Sequence, residues 1–162
     1  MDLTNHHHPL GAVDFLSWLF PVTYLIHIAE EYWGGEGYPA YILRVRGVHL
    51  SSARFVAAQT IGAVMMAVGV YLARRFNFAH MMAVILAATV LGNALTHAFT
   101  SIGNGGYGPG LYSSLLIWIP LGIYSLIYFR NTISRQRYFL AIAIGAAVNL
   151  LVYVITMRGA QL

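Results

Sequence analysis

The chain has 162 residues, of which 59% are hydrophobic and only 9% are charged, and its formal net charge is +4. Soluble domains carry about 25% charged residues, so this composition excludes an ordinary soluble domain and predicts an integral membrane protein. The length is enough for one compact domain of about five short-looped membrane helices, since each helix needs about 20 apolar residues.

The residue types also limit the chemistry. The chain contains no cysteine, which excludes disulfide bonds and thiolate metal ligands and leaves His, Asp and Glu as possible ligands. All nine basic residues are arginine and they are spread over the predicted loops. This distribution indicates a membrane topology signal and no nucleic-acid partner.

Five apolar segments follow one another along the chain, after a polar amino-terminal tail at residues 1–12 that contains three consecutive histidines. Their lengths and flanking charges predict an all-α, polytopic membrane domain at residues 13–158, a bundle of five transmembrane helices. The predicted helices are residues 13–32, 52–73, 78–99, 111–129 and 138–157. Between the first two, a glycine-rich break leads into a linker with Arg44 and Arg46, which we expect to lie along the bilayer interface.

Passing five spans through a bilayer places the two termini on opposite sides. The end of the first helix, with His27, Glu30 and Glu31, then lies at the same membrane face as His97 and Tyr107. Five arginines fall on the amino-terminal side and four on the other. The positive-inside rule therefore favours a cytoplasmic amino terminus, in a plasma (inner) membrane.

The polar cluster at the end of the first helix is the costliest feature to place in a bilayer. His27, Glu30 and Glu31 stand at helical positions i, i+3 and i+4, so their side chains share one face. Charged groups near lipid persist only with compensation, which here means a metal ion, a shared proton or a basic partner. A solvated pair of carboxylates at the interface, neutralised by Arg44 or Arg46, is the simplest alternative.

Three sequence motifs occur in order: His-Ile-Ala-Glu-Glu at residues 27–31, a second histidine at His97, and Tyr-Gly-Pro-Gly at residues 107–110. Together they resemble the HXXEE-domain family of small membrane proteins. The resemblance covers about two-thirds of the chain. It implies a membrane fold and a site at these residues, and it implies no particular reaction.

Two imidazoles and two carboxylates supply enough ligands for one divalent-metal site, formed by His27, Glu30, Glu31 and His97. Zinc is the preferred ion, with iron or manganese as alternatives. In an open catalytic site three of the four would bind the metal, and the remaining carboxylate, Glu30 or Glu31, would be the general base. The Tyr107 hydroxyl is a candidate proton donor or oxyanion stabiliser. The order of the ligands argues against a di-iron oxygenase, which uses Glu-x-x-His.

Three functions fit these residues. The preferred one is a metal-dependent hydrolase that acts at the bilayer interface on a lipid or other amphipathic substrate. A metal-free glutamate-type intramembrane peptidase, with Asn93 and His97 stabilising the oxyanion, is a second. The third is a non-enzymatic membrane subunit or small-molecule and cation carrier, in a homo-oligomer or larger complex. In that case small residues such as Gly145, Ala146 and Ala147 would contact partner helices.

Overall fold

The computed structural model describes residues 11–158, and this part of the chain is all-helical. The three histidines of the predicted amino-terminal tail lie outside the described residues. We number the helices in chain order: α1 Ala12–Trp33, α2 Tyr38–Arg46, α3 Ser52–Arg75, α4 Ala79–Gly103, α5 Leu111–Phe129 and α6 Arg135–Arg158.

Five of these helices, α1 and α3 to α6, are long and apolar enough to cross a membrane. The prediction of an all-α polytopic membrane protein is therefore confirmed. The largest differences lie at helix ends. Helix α4 continues about one turn beyond the predicted end because no helix breaker precedes Gly103. Helix α6 begins at Arg135 because Ser134 caps it, accepting a hydrogen bond from the Arg137 N–H at 3.4 Å.

The linker after α1 forms a helix that the sequence analysis did not predict. Pro39 occupies the first turn of α2, where its missing N–H costs nothing, and Gly47 ends the helix in a left-handed conformation. Tyr41 and Ile42 are buried against the bundle, whereas Arg44 is exposed. Helix α2 is thus a short amphipathic helix, and its apolar face covers the end of the bundle that carries His27 and His97.

Helix α4 is the central helix, and α1, α3, α5 and α6 all pack against it. Small side chains permit this, since a Cβ at Gly145 of α6 would lie only 2.7 Å from the Ala88 Cβ of α4. Gly145 is therefore used inside the bundle and is not available to contact a partner helix. Ala146 and Ala147 are exposed.

Helix α5 contains a π-helical stretch, Ser114–Trp118, just before Pro120. Proline has no N–H to donate to the preceding turn, and the wider π turn before it lets the helix continue through Pro120 to Phe129. Trp118, at the end of this stretch, is 1% exposed. Its ring stacks on His27 with a centroid separation of 3.8 Å.

The opposite end of the bundle carries a different set of polar residues. Asp14, near the start of α1, forms an ion pair with Arg74 at 2.9 Å. His80 lies at this end as well, with Asp14 and Arg74 in the lining of an open groove. These residues are therefore separate from the cluster at the end of α1.

Candidate metal centre

His27 and Glu31 of α1 and His97 of α4 form one compact cluster. Glu31 Oε1 lies 3.3 Å from His97 Nε2 and 3.7 Å from His27 Nε2. One ligand atom from each residue lies within 4.8 Å of the other two. Relative exposures are 1% for His27, 3% for Glu31 and 9% for His97. The structure thus brings together three of the four predicted metal ligands, in a largely buried position.

The His27 imidazole is held by a hydroxyl on its far side. Its Nδ1 lies 2.8 Å from Ser113 Oγ, and that hydroxyl donates to the Gly110 carbonyl oxygen at 3.3 Å. Because the hydroxyl hydrogen is used in this way, Ser113 Oγ accepts the hydrogen bond from the Nδ1–H of a neutral His27. Nε2 then keeps its lone pair and faces Glu31. Such a contact selects the tautomer that a metal ligand requires.

Glu30 points elsewhere. Its Oε1 accepts hydrogen bonds from the Tyr107 hydroxyl at 3.0 Å and the Tyr112 N–H at 2.8 Å, and its Oε2 accepts one from the Ser113 N–H at 2.6 Å. Consecutive residues on a helix are about 100° apart, so Glu30 and Glu31 cannot both reach the space between the imidazoles. The structure does not bring Glu30 into the cluster. Its carboxylate instead binds the first free N–H groups of α5, where negative charge is stabilised.

The Tyr107 hydroxyl, predicted as a catalytic group, is directed at Glu30 and not at the histidine cluster. Partial burial and the hydrogen bond to Glu30 raise the pKa of Tyr107 to about 12. The hydroxyl therefore stays protonated at physiological pH and remains a hydrogen-bond donor. It ties the loop before α5 to the end of α1.

Gly110, the last residue of the Tyr-Gly-Pro-Gly motif, lies directly on the two imidazoles. A Cβ at this position would stand 2.7 Å from His97 Cε1 and 2.8 Å from His27 Cε1. Its φ of 89° also lies in the left-handed region that glycine adopts without strain. The loop can therefore close over the cluster only with glycine here.

The predicted contact between Arg44 and the carboxylate pair is not formed. Arg44 pairs with Glu36, its Nε at 2.9 Å from Glu36 Oε1, and so does not neutralise Glu30 or Glu31. His49, in the linker between α2 and α3, is exposed and lies outside the cluster. Arg44 therefore does not compensate the carboxylate pair, which removes the Arg44 form of the simplest alternative.

Two further side chains lie beside the imidazoles. Asn93, which the peptidase hypothesis placed at an oxyanion, has its Nδ2 at 3.5 Å from His27 Nε2. Tyr38 of α2 packs near His97 with a centroid separation of 6.1 Å. Burial, and secondarily the charge of Glu31, raises the pKa of Tyr38 above its ordinary range. Tyr38 therefore adds a neutral phenol to the surroundings of the cluster.

Sequence reasoning gave no role at the site to four residues that contact it or lie against it. Tyr38, Ser113 and Trp118 are described above, and the fourth is Gln59, whose Nε2 donates a hydrogen bond of 2.5 Å to Glu31 Oε2. Tyr38 was missed because it falls in the linker between the first two predicted helices. Ser113 was missed because it belongs to none of the three motifs, although it lies three residues after Gly110. Gln59 did carry a signal, as a strongly polar side chain inside a predicted membrane helix. Its position therefore could have been connected to the site from the sequence.

Fold and site together define a polytopic, all-helical membrane protein with a buried cluster of two histidines and one glutamate. The chain matches the family model described as "Protein of unknown function with HXXEE motif" over residues 18–125. It belongs to this HXXEE family, and the match includes His27, Glu31, His97 and Gly110. Comparison with curated proteins and with solved structures gives no match.

Proposed function

We propose that this protein is a metal-dependent integral membrane enzyme, most simply a hydrolase, and that His27, Glu31 and His97 hold its divalent ion. The observation that carries the proposal is the convergence of three ligand atoms from two helices within 4.8 Å of one another. Two imidazoles and one carboxylate are a ligand set of open zinc sites, so zinc is the preferred ion. Iron and manganese, which also bind imidazole or carboxylate ligands, are the alternative ions.

The protein groups around the cluster have separate roles in this proposal. Ser113 holds His27 with Nε2 directed inward, and Asn93 is close enough to position a small polar ligand beside it. Glu30 anchors the loop and is not the general base. An ion in such a site supplies Lewis acidity and a water of lowered pKa, which suits hydrolysis without a further carboxylate.

The position of the cluster supports the proposed substrate class. The cluster lies near the ends of two membrane-spanning helices, beside the amphipathic helix α2. A substrate reaching it from the bilayer would have an apolar part in the lipid and a reactive polar group near His97, the most exposed of the three residues. We therefore propose a lipid or other amphipathic substrate. We also propose a plasma-membrane location, and the arginine distribution supports a cytoplasmic amino terminus.

The burial of the cluster also fits a second candidate function, a non-enzymatic membrane subunit that binds a cation. The exposures of His27, Glu31 and His97, at 1%, 3% and 9%, suit a closed cation site as well as a catalytic site. Metal binding is common to both candidates, and only turnover separates them.

The first experiment measures zinc in the detergent-purified full chain by elemental analysis. All proteins carry alanine at positions 6–8, because the three histidines there bind metals adventitiously. We expect about one zinc per chain, as in a mononuclear site, and a loss of at least about tenfold in affinity for His27→Ala, His97→Ala and Glu31→Gln. Glu30→Gln is the matched control: its amide oxygen can still accept a hydrogen bond from the start of α5, so it should lose much less zinc affinity than Glu31→Gln. A metal-free starting protein, or equal losses in the two glutamine variants, would refute this ligand set.

The second experiment measures hydrolysis in reconstituted vesicles. Phospholipid and acylglycerol esters are incubated with the protein, and released fatty acid is followed by mass spectrometry. The enzyme proposal predicts turnover that a chelator removes, that zinc restores and that His97→Ala lacks. Stoichiometric zinc without turnover on any of these esters would favour the cation-binding subunit.

A further inference from the structure

Gln59 of α3 contacts the metal-ligand candidate Glu31 from the side opposite the histidines. Its Nε2 donates a hydrogen bond of 2.5 Å to Glu31 Oε2. Its Oε1 accepts a hydrogen bond of 2.5 Å from the Tyr24 hydroxyl. The three side chains form a continuous chain from α1 to α3 and back to α1, in the interior of a membrane domain.

The Glu31 carboxylate and the Tyr24 hydroxyl together fix the orientation of the Gln59 amide. An ionised carboxylate only accepts hydrogen bonds, so the amide presents its NH2 group to Glu31 and its oxygen to Tyr24. The Tyr24 hydroxyl, which donates to that oxygen, then holds the amide in this orientation. Gly62 leaves room for this arrangement, because a Cβ there would lie 2.5 Å from the Tyr24 hydroxyl oxygen.

The Gln59 contact leaves Glu31 with one oxygen for the cluster. Oε2 accepts the hydrogen bond from Gln59, and Oε1 lies 3.3 Å and 3.7 Å from the two imidazole Nε2 atoms. Zinc sites typically use four single-atom ligands in tetrahedral geometry. Calcium instead takes six to eight oxygens, often with a bidentate carboxylate, and manganese also favours oxygen-rich sites. A carboxylate restricted to one oxygen therefore disfavours these ions.

We infer that Gln59, oriented by Tyr24, is a positioning residue that sets the metal preference of the site by holding Glu31 in one-oxygen coordination. This inference rests on the proposed metal centre. Loss of the Gln59 amide frees Glu31 Oε2, which lets the carboxylate rotate and bind an ion through both oxygens. The site then becomes weaker for zinc and relatively better for manganese.

The test compares zinc and manganese affinities of the detergent-purified full chain, by competition with a metal-sensitive dye. Gln59→Met keeps the side-chain length and removes the amide. We expect its zinc affinity to fall by about 10- to 100-fold while its manganese affinity stays equal or rises. Tyr24→Phe, which only frees the amide to turn, should lower zinc affinity by less. Thr89→Val is the matched control, since it removes the interhelical hydrogen bond to the Gly145 carbonyl oxygen in another part of the bundle.

A spectroscopic measurement separates positioning from general damage. Co2+ in place of zinc should give an intense, tetrahedral-type visible spectrum in the wild type and in Thr89→Val. The spectrum of Gln59→Met should weaken and shift as a further oxygen binds. If wild type and Gln59→Met share the same zinc-to-manganese ratio and the same Co2+ spectrum, the inference is wrong and the metal centre stands. If the wild type binds neither zinc nor Co2+, both proposals are wrong.

Discussion

Replacing Gly110 with alanine tests whether the loop before α5 holds the two imidazoles in place. The left-handed backbone at φ 89° costs a non-glycine residue about 1–2 kcal/mol. The new Cβ would also stand 2.7 Å from His97 Cε1 and 2.8 Å from His27 Cε1, and overpacking of this kind costs about 1–3 kcal/mol. We expect the free energy of unfolding to fall by about 2–5 kcal/mol in total. Because both rings must move, zinc affinity should also fall, by about tenfold or more.

Gly105 provides the matched control, since it lies in the same loop with φ 69° and a Cβ added to it would have no neighbouring atom within 4 Å. Gly105→Ala should therefore cost only the backbone part, about 1–2 kcal/mol, and should keep its zinc. Replacing glycine with alanine also lowers the conformational entropy of the unfolded chain, which stabilises the folded state. This contribution is the same for both substitutions, so it does not affect the difference between their free energies of unfolding. Unfolding is followed by denaturant titration in mixed micelles, and zinc by elemental analysis. Equal stabilities and equal zinc contents in the two variants would refute the contact between the loop and the imidazoles.

Three further predictions concern other parts of the chain. Tyr107→Phe removes the hydroxyl bonded to Glu30, so the free energy of unfolding should fall by about 1 kcal/mol in the same titration, with zinc retained. Because the pKa of Tyr107 is raised to about 12, the hydrogen bond to Glu30 is present at neutral pH and is lost only as the pH rises through that value. A tyrosinate difference spectrum between wild type and variant measures this ionisation. Asp14→Asn breaks the ion pair with Arg74 at the other end of the bundle and should cost only about 0.2–1 kcal/mol with no change in zinc. Reporter fusions at the two termini should map to opposite sides of the membrane, with the amino terminus cytoplasmic; fusions on the same side would contradict the five-span topology.

The fold was largely predictable because the membrane imposes a strong pattern. An apolar run must be helical in lipid, since its backbone hydrogen bonds have no other partner, and charged or glycine-rich breaks mark the ends. That reasoning applies less well outside the bilayer core. Helix α2 was missed because it has only nine residues, follows a glycine-rich break and carries two arginines. Tyr41 and Ile42 are buried against the bundle, a tertiary contact that the sequence did not indicate.

The site was predictable in its histidines and less so in its carboxylates. His27, Glu30, Glu31 and His97 are all costly in lipid, so the sequence predicted one cluster of four residues, of which the structure brings three together. The different roles of Glu30 and Glu31 were not predictable, because both fall on the same general face of α1. Their assignment depends on where α5 begins, and that is a tertiary feature. The role of Ser113 was hidden for the same reason.

Ser113 explains why the loop and the cluster act as one unit. Its N–H binds Glu30 and its hydroxyl binds His27, so the contact that anchors α5 also orients a candidate metal ligand. Glu30 can anchor the loop only because it points about 100° away from Glu31, which leaves Glu31 free to face both imidazoles. Glu30 and Glu31 therefore perform two separate tasks from the same general face of the helix: Glu30 anchors the loop and Glu31 faces the imidazoles. Gly110 then closes the arrangement, since no larger residue fits between the anchored loop and the two rings.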